Sequence, residues 1–179
     1  MDVKIGKLSV GLFSPTLSVE NFKLYNTAEF GGSPFVQMPD LYIEYDRAMA
    51  RRGRIHLKLV RVDVAEISFV KNKKGRYNFS GLDRLSLQSL DTNQPVAAQM
   101  HFAGIDTLNL TLRTARFSTV DSPDQERVIN LGIKNQILSI KTEKDLKVAA
   151  LILDAKSGGA LTDVIQTLTG KGPKTGTTP

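Results

Sequence analysis

Residues 55–69 read IHLKLVRVDVAEISF, and this stretch decides the fold class. Apolar residues occupy every second position up to Leu59, and valines continue the alternation in the opposite phase from Val60 onward. Alternation with a period of two places one set of side chains on one face of a β-strand. The stretch therefore predicts strand structure with one change of phase between Leu59 and Val60.

The same period-two pattern recurs on both sides of this stretch. It runs through residues 3–24, where a change of phase near Gly6 predicts a β-bulge, and through residues 41–45. A second block at residues 108–112 and 129–133 predicts a hairpin of long antiparallel strands. These blocks together predict a sheet that makes up most of the domain.

The C-terminal part of the chain changes from a period of two to helical spacing. Thr142 and Asp145 stand at the positions of a capping box, which predicts the start of a helix. Gly158 and Gly159 interrupt the helical pattern, and residues 160–168 resume it. We therefore predict two helices near the C-terminus.

Shorter helical segments are predicted at residues 47–52, ended by Gly53, and at residues 80–90. Residues 170–179 contain no large apolar residue, which predicts a disordered tail. We therefore predict a single α+β domain over residues 1–169. Its core is a largely antiparallel, strongly twisted and curved β-sheet with short helices.

The composition gives little support to catalysis. The chain of 179 residues has no cysteine, which excludes disulfides and thiolate chemistry, and only two histidines, His56 and His101. His56 stands between Ile55 and Leu57 and is expected to face away from the apolar side of its strand. No histidine or acidic cluster has the spacing of a metal site. We therefore predict a protein without catalytic residues, metal or cofactor.

The first candidate site is the apolar face of the predicted sheet. If this face is open, it could hold acyl chains, because apolar contact needs no fixed polar geometry. The alternative is an ordinary core sealed by helices near residues 82–90 and 146–168, since large exposed apolar patches are rare. The residues predicted on this face are Leu41, Ile43, Ile55, Leu57, Leu59, Leu108, Leu110, Leu112, Ile129, Leu131 and Ile133.

The second candidate site is a basic band between Arg47 and Arg76, in a chain whose net charge is +6. Within the band, Arg51, Arg52 and Arg54 share one short connection and are the candidates to bind anionic lipid headgroups. Each such charge contributes about 1 kcal/mol near an anionic membrane surface. The alternative is a solvated strand face followed by a polar turn.

Nucleic acid is a competing partner for the band, because Tyr77 and Phe79 lie beside Lys74 and Arg76. No recognised nucleic-acid motif accompanies these residues. The two aromatic residues are more typical of strand packing than of base stacking. Nucleic acid is therefore the disfavoured partner.

Short motifs follow one another in a fixed order through the first half of the chain. They are KIGKLSVGLFS (4–14), VENFKLYN (19–26), MPDLYIEY (38–45), GRIHLKLVRV (53–62), VAEISF (64–69) and GRYNF (75–79). Their order resembles the N-terminal unit of the AsmA-like proteins of the bacterial cell envelope, and residues 102–153 resemble the later part of short members. The chain departs from the family pattern at Thr27, where many members have proline. Members also usually carry a transmembrane anchor just before the segment at Ile5.

The resemblance implies an elongated β structure with a curved, partly apolar inner face, similar to the chorein-type bridge-like lipid transfer proteins. It also implies a location on the periplasmic side of a membrane of the bacterial envelope, although the sequence shows neither a signal peptide nor an apolar run of transmembrane length. On this basis we expect a non-enzymatic module that binds or organises lipid in lipid transport or outer-membrane maintenance. Its expected partners are phospholipid, the membrane surface or an envelope protein. The alternative is a structural or protein-interaction domain with a closed core and no lipid ligand.

Overall fold

The computed structural model describes residues 1–11, 13–79, 101–156 and 158–169. The helix predicted at residues 80–90 and the tail predicted at residues 170–179 lie outside these ranges. The strands are β1 (Val3–Lys4), β2 (Lys7–Val10), β3 (Thr16–Tyr25), β4 (Pro34–Tyr45), β5 (Arg54–Lys71), β6 (His101–Thr119) and β7 (Ser122–Ile140). The helices are α1 (Arg47–Ala50), α2 (Glu143–Lys156) and α3 (Ala160–Thr169), with a 3-10 turn at Ala28–Phe30.

All the described strands belong to one sheet. Its order is β1-β3-β4-β5-β6-β7, and β2 lies beside β1 along the same edge of β3. Every neighbouring pair is antiparallel except β5 and β6, which are parallel. The predicted α+β class, the largely antiparallel sheet and the hairpin formed by β6 and β7 are confirmed.

Two rows of paired apolar residues cross the sheet and face the same side. The first row is Leu17, Ile43, Val60, Leu108 and Ile137, and the second is Leu24, Val36, Ile67, Ala115 and Ile129. Laterally paired residues share a face, and Ile137, Ala115 and Ile129 pack into one cluster, so both rows lie on one side of the sheet. This side is the apolar face.

The two rows are separated by an odd number of residues in β3 to β6, which regular alternation would place on opposite faces. Irregularities lie between the two rows in β3 and in the pairing of β6 with β7. Asn21 takes a positive φ of 54° in β3, and the pairing of β6 with β7 shifts between Leu112 and Thr114. The left-handed conformation of Asn21 lies between Leu17 and Leu24, and Leu24 stays on the apolar face.

β5 does change phase, but one residue earlier than the predicted position between Leu59 and Val60. Tyr45 pairs with Leu57 and Glu44 pairs with Leu59, so Lys58 is the extra residue of a bulge in β5. Because of this bulge, Leu57 and Val60 both contribute to the apolar face.

The principal core lies where α2 and α3 pack against β6 and β7. Its buried members are Ala115, Phe117, Leu131, Ile133, Leu153, Ala160 and Val164. The helices therefore cover one part of the apolar face, over the last two strands of the sheet.

None of the described helices is long and apolar enough to cross a membrane.

The predicted capping box starts α2. The carboxylate of Asp145 accepts a hydrogen bond from the backbone N–H of Thr142 at 2.8 Å, and the Thr142 hydroxyl accepts one from the N–H of Asp145 at 3.3 Å. Gly158 and Gly159 adopt φ values of 67° and 83°, which only glycine adopts readily, and they separate α2 from α3. Both predictions about this region are confirmed.

Candidate functional site

A groove opens on the apolar face at the end of the sheet where β5 begins. Its volume is about 320 Å³, and its walls are almost entirely apolar. β2, β3, β4, β5 and the short helix α1 contribute to it. The apolar residues of its walls include Val10, Leu17, Ile43, Tyr45, Ile55 and Leu57. Asp46 and Arg54 also line it, and so does His56, which the sequence had placed away from the apolar side.

The predicted apolar residues divide between this groove and the helix-covered core. Ile43, Ile55 and Leu57 line the groove. Leu110, Leu112, Ile129, Leu131 and Ile133 belong to the core or pack against it. Leu41 and Leu108 pair with Val62 and Val60 between the two regions.

Leu59 differs from the other predicted residues in its placement. It neighbours the buried Val60 in β5, and it pairs with Thr107, which in turn pairs with Leu138. Leu138 follows Ile137, a residue of the apolar face, and is 64% exposed. Leu59 and Leu138 therefore lie on the opposite side of the sheet.

Exposure on the apolar face changes from strand to strand. Val19 in β3 and Val60 in β5 are buried, whereas Leu8 and Val10 in β2 are 58% and 59% exposed. Leu8 pairs with Val19 and Val10 pairs with Leu17, so these exposed residues extend the apolar face to the sheet edge. The groove lies beside this exposed margin.

The helical turn beside the groove is built by Asp46. Its carboxylate accepts hydrogen bonds from the backbone N–H groups of Ala48 at 2.8 Å and Met49 at 3.0 Å, which caps α1. The hydrogen bond from Met49 is the main reason why the pKa of Asp46 is lowered. Gly53 follows with a φ of 71°, which redirects the chain from this turn into β5.

Arg51, Arg52 and Arg54 leave this turn as exposed side chains. Within the described ranges they form no ion pair, whereas several other cations of the basic band do. Arg61 contacts Asp40 at 2.8 Å, and Arg76 contacts Glu29 at 2.5 Å. The sequence showed one continuous band, but the structure leaves unpaired cations mainly at the groove end of β5.

His56 has a carboxylate partner that its local sequence does not reveal. Its Nε2–H donates to Asp106 at 2.9 Å, and its Nδ1 lies 3.9 Å from the carboxylate of Asp46. Asp106 is distant in sequence, so only the parallel pairing of β5 with β6 brings the two together. Among the residues whose placement is described, no group of three or more His, Asp or Glu is arranged to hold a metal ion.

Two of the motifs quoted above meet in a buried hydrogen-bond network. The side-chain amide of Asn78 donates to the Asn26 side chain at 2.8 Å and to the backbone carbonyl of Ser68 at 2.7 Å. Its carbonyl oxygen accepts from the N–H of Val70 at 3.2 Å. Asn26 and Asn78 therefore act as structural residues that fasten the end of β3 to the chain after β5.

The aromatic residues proposed as a base-stacking surface pack against one another. Tyr77 stacks on Phe79 with ring centroids 5.7 Å apart, and Phe79 meets the edge of Phe69 at 5.8 Å. Phe69 in turn stacks on the buried Phe117 at 5.1 Å. These contacts connect the aromatic pair to the principal core.

No protein-family model matches the chain, and no curated protein or solved structure is significantly similar to it.

Proposed function

We propose that this protein is a non-enzymatic, AsmA-like module that binds or organises lipid on the periplasmic side of a membrane of the bacterial envelope. The observation that carries the proposal is the apolar groove beside the unpaired Arg51, Arg52 and Arg54. An apolar surface next to a cluster of cations suits a molecule with an acyl chain and an anionic head. The role would lie in lipid transport or outer-membrane maintenance.

The expected driving force is the removal of acyl chain from water. Each buried methylene group contributes about 0.8 kcal/mol, so even a partly enclosed chain can be retained. We propose that the sheet is strongly twisted and curved, which would make the apolar face concave and increase the area in contact with a chain. The cations beside the groove would hold the headgroup near water.

The AsmA-like assignment rests on the ordered motifs and on the contact between Asn26 and Asn78. Asn26 ends one motif and Asn78 is the second-to-last residue of another. The two are far apart in sequence, yet their side chains bond directly. This hydrogen bond explains in structural terms why asparagine occupies both motif positions. It supports the view that the motif series specifies one folded unit.

A matched pair of variants tests the proposed face. Val10→Asp places a charge in the wall of the groove at an exposed position, and Leu138→Asp places the same charge on the opposite side of the sheet. Each protein is incubated with vesicles that contain fluorescent phosphatidylglycerol, re-isolated, and assayed for retained lipid. We expect Val10→Asp to lose most of the retained lipid and Leu138→Asp to retain the wild-type amount. Equal retention by both variants would contradict the proposal.

Leu57→Asp is a second test of the same wall, because Leu57 lines the groove. The sequence places Leu110 on the same predicted face as Leu57. Leu110→Asp is nevertheless a less informative variant, because Leu110 packs against the principal core. Loss of lipid in that variant would not separate binding from folding. Circular dichroism of Leu57→Asp must match the wild type before its lipid content is compared.

The alternative is a protein-interaction domain that recruits a partner by strand addition. One observation favours it: within the described ranges, the long strand β7 has only β6 as a strand neighbour. Concentration-dependent assembly in sedimentation experiments, together with an absence of retained lipid, would favour this alternative. An electrophoretic shift of random oligonucleotides that weakens steeply with salt would instead favour nucleic-acid binding.

A further inference from the structure

We infer that the natural occupant of the groove is a fatty acid: one acyl chain that carries one carboxylate, which lies against Arg54. This inference rests on the proposed function, because it takes the groove to be a lipid site. It goes further by limiting the ligand to a single chain, by assigning the charge of its head, and by orienting it in the groove.

The size of the groove indicates a single chain. Its volume of about 320 Å³ lies at the lower end of the range of roughly 300–1,000 Å³ that is typical of small-molecule sites. If a methylene group needs about as much space as a water molecule, about 30 Å³, the groove holds roughly ten such groups. One medium-length acyl chain fills this space, whereas the two longer chains of a membrane phospholipid would extend past it over the exposed edge of the sheet, at a cost in affinity.

The charges around the groove indicate an anionic head. Arg54 lines the groove and has no ion-pair partner in the described ranges, and Arg51 and Arg52 extend from the same connection. A guanidinium group can bind a carboxylate through two parallel hydrogen bonds. An unpaired arginine beside an apolar wall therefore provides a match for the head of a fatty acid.

Asp46 is the acidic residue in the groove lining, and its charge would oppose an anionic ligand. However, its carboxylate already accepts two backbone hydrogen bonds from α1 and experiences the positive charge of Lys58. With Arg51, Arg52, Arg54 and Lys58 nearby, the local balance is positive. The field at this end of the sheet thus favours a carboxylate near Arg54.

The order of the lining residues orients the ligand. Arg54 stands at the start of β5, and Leu57 follows it on the same strand. Ile43 of β4 pairs with Leu17 of β3, which pairs with Val10 of β2. A chain whose head rests on Arg54 can therefore extend across successive apolar residues toward the exposed edge of the sheet.

Isothermal titration calorimetry with four defined ligands tests this inference on the full chain. The ligands are laurate, dodecanol, lysophosphatidylglycerol and dioleoylphosphatidylglycerol, with the single-chain molecules kept below their micelle concentrations. We expect saturable binding of one laurate per chain, at least about fivefold tighter than dodecanol, because one favourable charge contact is worth about 1 kcal/mol. Arg54→Gln should remove this preference, whereas Arg127→Gln, an exposed arginine of β7, should preserve it.

The outcomes separate this inference from the proposed function. Preferential binding of either glycerophospholipid over laurate would overturn the inference and leave a lipid-binding function in place. Equal affinity for laurate and dodecanol, or an Arg54→Gln protein that keeps the preference, would overturn the assigned contact with the carboxylate. No binding of any ligand by the folded protein would overturn both the inference and the proposed function.

Discussion

The two ends of the apolar face follow the same sequence pattern but have different surroundings. At the β6–β7 end, α2 and α3 cover the sheet, and Ile133 is only 2% exposed. At the β2 end, Val10 is 59% exposed beside the groove. The difference shows that alternation specifies which side of a strand is apolar, while the surrounding elements decide whether that side becomes core or surface.

The largest expected effect comes from placing a charge in the covered end. Ile133→Asp would bury a carboxylate among apolar side chains, which should cost more than about 4 kcal/mol of unfolding free energy. Val10→Asp makes the same chemical change at the exposed end and should cost less than about 1 kcal/mol. Urea unfolding followed by circular dichroism measures both. Similar losses in the two variants would show that the ends do not differ in burial.

A smaller loss is expected when the buried amide network is broken. Asn78 is 2% exposed, and Asn78→Leu would remove the donors to Asn26 and to the carbonyl of Ser68. Leaving such buried acceptors without a partner costs about 1–3 kcal/mol. The exposed Asn130→Leu is the control and should change stability by less than about 0.5 kcal/mol. If thermal melting of the two variants coincides, the network does not stabilise the fold.

We expect the free energy of unfolding to fall in acid, because Glu66 on the polar side of the sheet becomes protonated. The hydrogen bond from Arg116 is the main reason why the pKa of Glu66 lies below its usual value of 4.5. A carboxyl whose pKa is lower in the folded state contributes stability above its unfolded pKa, and that stability is lost as the pH falls through the folded pKa.

Glu66→Gln therefore tests this contribution. We expect the variant to be less stable than the wild type at pH 7 and the difference to shrink as the pH falls below about 4.5. Urea midpoints measured between neutral and acidic pH provide the comparison. A difference that stays constant over this range would show that the Arg116 contact does not favour the ionised form of Glu66.

The smallest effect on stability is expected at the unpaired arginines. Replacing Arg51, Arg52 and Arg54 with glutamine should change the unfolding free energy by less than about 0.5 kcal/mol per site. Binding to vesicles rich in phosphatidylglycerol should weaken by about 1 kcal/mol, or roughly fivefold, per charge removed. Arg76→Gln is the control, because Arg76 is already paired with Glu29. A triple variant that cosediments with vesicles as the wild type does would remove these residues from the headgroup proposal.

Features set by nearby residues could be predicted from the sequence. The capping box of Thr142 and Asp145 and the end of the short helical turn at Gly53 depend on short segments, and the structure contains both. A change of phase in β5 was also predicted, but the bulge lies at Lys58, before Leu59 rather than after it. The bulge also explains why Leu59 leaves the apolar face. The sequence placed Leu59 on the apolar face because the alternation alone does not show whether a bulge lies before or after a given residue.

Features that join distant segments could not be predicted in this way. The parallel pairing of β5 with β6 leaves the same alternation as antiparallel pairing would. The contact of His56 with Asp106 depends on that pairing. The contact of Asn26 with Asn78 depends on the placement of β3 and β5 on either side of β4. The division of the apolar face into a covered end and a grooved end likewise depends on where α2 and α3 pack.

If the grooved end of the apolar face carries lipid, the purified protein should itself contain lipid. Mass spectrometry of an organic extract from gently purified protein is compared with that of an equally treated control protein. We expect acyl lipid enriched at close to one molecule per chain. A clean extract from a protein that circular dichroism shows to be folded would contradict it and would favour a closed core with a protein partner.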